Sequence, residues 1–142
     1  MDRKEFFVNL GKGAALVALT VCFGNCGVNS NNNPTYPSAP QNVDFTLDLT
    51  DQANASLNSV GGYIYQNGII IARVDANTYD AVSKACTHQG YTIAYQSGNK
   101  EFHCSAHGSN FDVNGKVVNG PASIALVKYN TQLNGNKLRI FS

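Results

Sequence analysis

From Val43 to its end the chain alternates apolar and polar positions with a period of two. Val43, Phe45, Leu47 and Leu49 interleave with Asp44, Thr46 and Asp48, the pattern of a strand with one buried face. Tyr63–Tyr65 and Ile69–Val74 flank Asn67-Gly68. An Asn-Gly pair between apolar runs predicts a tight hairpin, because its turn needs positive φ. Ala81–Ala85 then lead into the first Cys/His block. Thr92–Tyr95 and Lys100–His103 flank Gln96-Ser97-Gly98-Asn99, and Phe111–Val113 and Lys116–Val118 flank Asn114-Gly115. Leu126–Tyr129 and Leu138–Phe141 close the pattern around a turn at Asn134-Gly135. No stretch after residue 50 sustains a 3.6-residue period. The expected class is all-β, a sandwich or small barrel of short antiparallel strands.

Before Val43 the pattern is different. Arg3, Lys4 and Lys12 precede an apolar run from Gly13 to Gly24 that is 12 residues long. A bilayer-spanning helix needs roughly 20 such residues, so residues 1–25 read as an export segment. Asp2-Arg3-Lys4-Glu5-Phe6-Phe7 resembles a twin-arginine export motif with Lys4 in place of the second arginine. Cys26, just past the apolar run, resembles a bacterial lipoprotein site, with Cys22 the other cysteine in that region. Residues 26–42 are rich in Asn, Ser and Pro and read as a disordered tether. Residues 43–142 form the expected domain. The implied location is the periplasmic side of a bacterial membrane, with a lipid anchor at Cys26.

Composition narrows the function. The chain has 142 residues, 43% of them hydrophobic, enough for one domain with a core. Its net charge is +1 and its basic residues are scattered, so a nucleic-acid partner is not expected. The chemistry lies in two short blocks, Cys86-Thr87-His88-Gln89-Gly90 and Cys104-Ser105-Ala106-His107-Gly108-Ser109. Each offers one thiolate and one imidazole, and two sulfur and two nitrogen donors can close a metal site. His103 adjoins Cys104, but neighbouring strand residues point to opposite faces, so it is not counted as a ligand. A Cys86–Cys104 disulfide would leave the two histidines unexplained.

The two blocks resemble the Rieske signature, C-x-H-x-G followed by C-x-x-H-G-S. The resemblance covers roughly residues 60–142 and implies three stacked antiparallel sheets with two metal-binding loops at one tip. It implies one 2Fe-2S cluster, with Cys86 and Cys104 on one iron and His88 and His107 on the other. A diferric centre with two sulfides and two thiolates carries no net charge, so an added electron costs less than at a four-thiolate centre. Ser109 matches the family serine that hydrogen-bonds a bridging sulfide, and Asn119-Gly120-Pro121-Ala122 matches the loop covering the cluster. Gly90 and Gly108 suit loops with close backbone approach and unusual φ.

Three positions depart from the quinol-oxidising members. Tyr91 and Ala106 stand where those proteins carry a disulfide, and Phe111 stands where they carry a tyrosine donating to a ligand sulfur. An intermediate midpoint potential is expected, inside the class range of about −150 to +300 mV. The implied function is one-electron transfer, as shuttle or subunit of a membrane-associated respiratory-type oxidoreductase, with redox donor and acceptor proteins as partners. No independent catalytic site is argued. Two alternatives stay open: a ferredoxin component of a ring-hydroxylating oxygenase, and a structural zinc-binding β-domain lipoprotein, since two Cys and two His also suit zinc.

Overall fold

A computed structural model describes residues 37–142. The export segment, Cys22, Cys26 and most of the tether lie outside the described residues. The strands are β1 (Asp44–Asp48), β2 (Tyr63–Gln66), β3 (Ile69–Asp75), β4 (Thr78–Ser83), β5 (Ala94–Gln96), β6 (Glu101–His103), β7 (Asn110–Asp112), β8 (Val117–Asn119), β9 (Lys128–Asn134) and β10 (Lys137–Phe141). All neighbours pair antiparallel.

The expected three sheets are two in this structure. A six-stranded sheet runs β1-β10-β9-β4-β3-β2, and a four-stranded sheet runs β5-β6-β7-β8. The cause is β9. Its first residues, Lys128 and Tyr129, pair with β4, whereas Asn130–Asn134 pair with β10. One long strand thus joins two layers into a continuous sheet.

The layering survives in the packing. β3 is the unbroken apolar run Ile69-Ile70-Ile71-Ala72, and all four residues are fully buried. Ile70, Ala72 and Val74 pack with Ile93, Tyr95, Phe102, Phe111, Cys86 and Cys104. Ile69 and Ile71 pack with Leu47, Leu57, Tyr129, Leu138 and Ile140. Alternate side chains leave a strand on opposite faces, so β3 has a core on each side. This explains why it reads as a solid block rather than as alternation.

Turn chemistry follows the sequence closely. Asn67 and Gly68 have φ of 51° and 81°, the double positive φ of a type I′ hairpin. The last hairpin places Gly135 and Asn136 at its tip, because Asn134 pairs with Lys137. Gly135 alone has positive φ there, 57°, so the turn sits one residue later than the Asn-Gly pair suggests.

Two features were not expected. Gln52–Asn58 form a short 3-10 helix capped by Asp51, whose carboxylate accepts from the Ala53 amide at 3.0 Å. Leu57 anchors it in the core, and Arg73 donates to the Asn58 carbonyl at its far end at 2.6 Å. The end of the segment read as tether also lies against the domain. The Pro40 carbonyl accepts from the Tyr129 hydroxyl at 2.9 Å.

Candidate metal centre

The two Cys/His blocks form loops that leave β4 and β6 and close with the same pair of backbone hydrogen bonds. In loop 1 the Cys86 amide donates to the Tyr91 carbonyl and the Gly90 amide to the Cys86 carbonyl, both at 2.7 Å. In loop 2 the Cys104 amide donates to the Ser109 carbonyl at 2.8 Å and the Gly108 amide to the Cys104 carbonyl at 2.9 Å. Each cysteine thus begins a one-turn i→i+4 loop. Gly90 and Gly108 close the turns with φ of 77° and 83°, a conformation glycine adopts without steric cost. A Cβ on Gly108 would meet nothing within 4 Å. Conformation, not close approach, calls for glycine there.

This shared geometry turns the cysteines inward and the histidines outward. Cys86 and Cys104 are each 1% exposed and belong to the core, whereas His88 is half-buried and His107 exposed. The imidazoles meet edge to face, with centroids 4.8 Å apart and planes at 90°. Both thiols are free. Burial pushes the Cys86 thiol pKa up; the His88 amide and the Ser109 hydroxyl pull it down, and the neighbouring Cys104 thiol adds to the rise. A cation supplied to this pair would replace the protons.

His88 Nδ1 is buried and has no hydrogen-bond partner. A buried polar atom left unpaired is costly, so a ligand-binding role for this nitrogen fits better than a packing role. Among the described residues no group of three or more His, Cys, Asp or Glu is placed to hold a single metal ion. A buried thiol pair and a pair of imidazoles offer two sulfur and two nitrogen donors, the set a two-iron centre of mixed ligation takes. The residues present therefore fit a 2Fe-2S cluster.

Side chains around the loops hold them in place. Ser109 is fully buried; its hydroxyl accepts from the Ala122 amide at 2.9 Å and lies against the Cys86 thiol. The third loop, which carries the cis Gly120-Pro121 peptide, is tied to both others. Thr87 Oγ1 donates to the Ile124 carbonyl at 2.5 Å, and Asn119 Nδ2 donates to the Gly108 carbonyl at 2.8 Å. Phe111 is fully buried and brings no hydroxyl. No disulfide forms among the described residues, so these hydrogen bonds and packing do the holding.

His103 takes no part in the imidazole pair. Its Nδ1 meets Asn110 Oδ1 at 2.5 Å, and Asn110 Nδ2 donates to Asn119 Oδ1 at 2.9 Å. An amide oxygen only accepts, so His103 Nδ1 carries the proton. Sequence reading missed the bridging roles of Thr87, Asn110 and Asn119. Only Asn119 had a signal, its place beside the Gly-Pro pair.

The loops carry no formal charge: 86–99, 102–111 and 117–127 lack Asp, Glu, Lys and Arg. A shallow depression of about 210 Å³, lined by Thr46, Gln132, Asn134, Lys137 and Arg139, lies on another surface and contains no Cys or His.

Comparison with known proteins agrees with this geometry. A family model described as Rieske [2Fe-2S] domain matches residues 43–130. The cytochrome b6-f complex iron-sulfur subunit of Parasynechococcus marenigrum (strain WH8102) is 34% identical over 70 residues, 49% of this chain and 39% of that protein. The chain thus spans well under half the length of such curated relatives. The crystal structure of the plasma membrane Rieske protein PetC3 from Synechocystis PCC 6803 superposes with a TM-score of 0.53 at 29% identity, covering 62% of this chain and 93% of that one. The ferredoxin of carbazole 1,9a-dioxygenase from Nocardioides aromaticivorans IC177 superposes with a TM-score of 0.51 at 22% identity, covering 73% and 98%. That second likeness is one of fold alone.

Proposed function

The chain belongs to the Rieske [2Fe-2S] domain family, and on that premise we propose that it is a one-electron carrier serving a membrane-associated oxidoreductase. In this reading Cys86 and Cys104 hold one iron of its single 2Fe-2S cluster, and His88 and His107 hold the other. The observation that carries it is the split of the four side chains, thiols buried and imidazoles paired at the surface. Bound there, the cluster supplies a centre that takes up and releases one electron.

The chain's own residues set the conditions for that exchange. The buried cysteines keep water from the sulfur side, and the exposed His107 marks the edge where a partner comes close. The uncharged loops leave nearby formal charge out of the site. The His88 amide and the Ser109 hydroxyl both act on Cys86 to favour its charged form. Both favour the more negative, reduced state and raise the potential. Phe111 supplies no such donor, which supports an intermediate midpoint.

We place the domain on the periplasmic side of a bacterial membrane, exported by residues 1–25 and lipid-anchored at Cys26. The polar residues between Cys26 and the docked Pro40 would tether it there. The relatives support a redox partner in or on a membrane, since one is named as a cytochrome b6-f subunit and another as a plasma membrane protein. The test is the purified full chain. It should contain two irons and two acid-labile sulfides, and His107→Cys should lower the midpoint by hundreds of millivolts or abolish the site. An unchanged midpoint in that variant would refute the ligand set. Cys26→Ser should release the protein from the membrane fraction, and retention would refute the anchor.

A further inference from the structure

We propose that Tyr91 is a positioning residue that holds His107, and with it the second ligand loop, against the first. Tyr91 belongs to loop 1, where its carbonyl accepts from the Cys86 amide at 2.7 Å. Its backbone is therefore fixed by the turn that presents Cys86. Its ring leaves that loop and meets His107 of loop 2, with centroids 5.6 Å apart and planes at 73°. His107 stands in turn at 90° to His88, which is again in loop 1. The three rings stack as Tyr91, His107, His88, so the loop 2 imidazole is gripped between two rings of loop 1.

The loops already meet at their buried end, where Cys86 lies against Cys104 and Ser109; the rings join them at the exposed end. Neither thiol is in a disulfide, and toward the third loop the Thr87 hydroxyl donates and the Ser109 hydroxyl accepts. Tyr91 is 54% exposed, so the core does not need it as filler. An edge-to-face aromatic contact has a preferred geometry, and that geometry fixes where the His107 ring stands. The consequence for the cluster rests on the reading that His107 is a ligand; the cross-loop contact itself does not.

The test compares wild type, Tyr91→Ala and Tyr91→Phe as full-length, cluster-loaded proteins. Because the residue is exposed, neither substitution disturbs the core. Hydrogen exchange is followed separately in peptides from loop 1 and loop 2, and cluster loss is followed by bleaching in the presence of an iron chelator. Tyr91→Ala should speed exchange in loop 2 by about two- to tenfold, the effect of losing one aromatic contact, and should speed bleaching by a similar factor. Tyr91→Phe should behave as wild type, because the ring and not the hydroxyl makes the contact. Exchange changed only in loop 1, or in neither loop, would overturn the proposal, as would Phe behaving like Ala. Loop 2 loosened with bleaching unchanged would overturn the link to cluster retention. A wild-type protein that takes up no iron would refute the proposed function instead, while the exchange comparison would still decide the role of Tyr91.

Discussion

Ser109→Ala separates the two tasks of a single buried hydroxyl. Ser109 is fully buried, accepts from the Ala122 amide at 2.9 Å and lies close enough to Cys86 to lower its thiol pKa. On reduction that sulfur becomes more negative, so the hydrogen bond is worth more in the reduced state. A difference of about 1–2 kcal/mol lies between the values for neutral and charge-assisted hydrogen bonds. At about 59 mV per 1.4 kcal/mol for one electron, the midpoint should fall by about 40–85 mV. The substitution also strands the buried Ala122 N–H, which should cost about 1–3 kcal/mol of stability. Optical redox titration reads the first effect and urea unfolding the second. Lost stability with an unchanged or raised midpoint would refute the reasoning, because the hydroxyl would then serve Ala122 alone.

Phe111→Tyr should act in the opposite sense. Phe111 lies in the core that contains both thiols, and a hydroxyl there should raise the midpoint by about 40–85 mV; a fully loaded variant with the wild-type midpoint would contradict this. Gly108→Ala should cost about 1–2 kcal/mol in urea unfolding, from positive φ alone, since its Cβ would meet nothing. Gly115→Ala should cost more, because its Cβ would stand 2.9 Å from the Leu126 carbonyl oxygen; equal costs would refute that ordering. Hydrogen bonds from Lys137, then from Thr50, hold the Asp48 carboxyl well below the usual carboxylate range, and Arg139 lowers that of Asp44. Both should stay charged in the folded protein where the unfolded chain protonates, so stability should fall as pH drops below about 4. Lys137→Met should flatten that acid limb in urea midpoints taken across it, and an undiminished slope would count against the pairing.

Where the chain buries alternate residues, the sequence is a good guide to the fold. Leu138 and Ile140 of β10 and the solid run of β3 are fully buried and easily read. β9 is harder, because beyond Tyr129 its residues Asn130, Gln132 and Asn134 face water and none is deeply buried. Its second half has Leu133 as its one apolar residue, too weak a signal to show that a single strand pairs with both β4 and β10 and joins the two layers. The 3-10 helix has Leu57 as its only large apolar residue, too little for a period to show. At the site, fixed spacing exposes the four Cys and His residues, since each pair sits on one local turn. The ties between loops stay hidden. Thr87 reaches a carbonyl 37 residues away and Asn119 one 11 residues away, and a backbone acceptor leaves no mark in composition or spacing.

In the proposed centre two imidazoles meet one iron at the exposed edge of the domain. Pulsed paramagnetic resonance of the reduced protein measures this directly, because nitrogen bound to the cluster gives a resolved coupling. Two histidine nitrogen couplings should appear in the wild type, and His103→Gln should leave both in place. A reduced cluster without nitrogen coupling would contradict the account, as would one that loses a coupling when His103 is replaced.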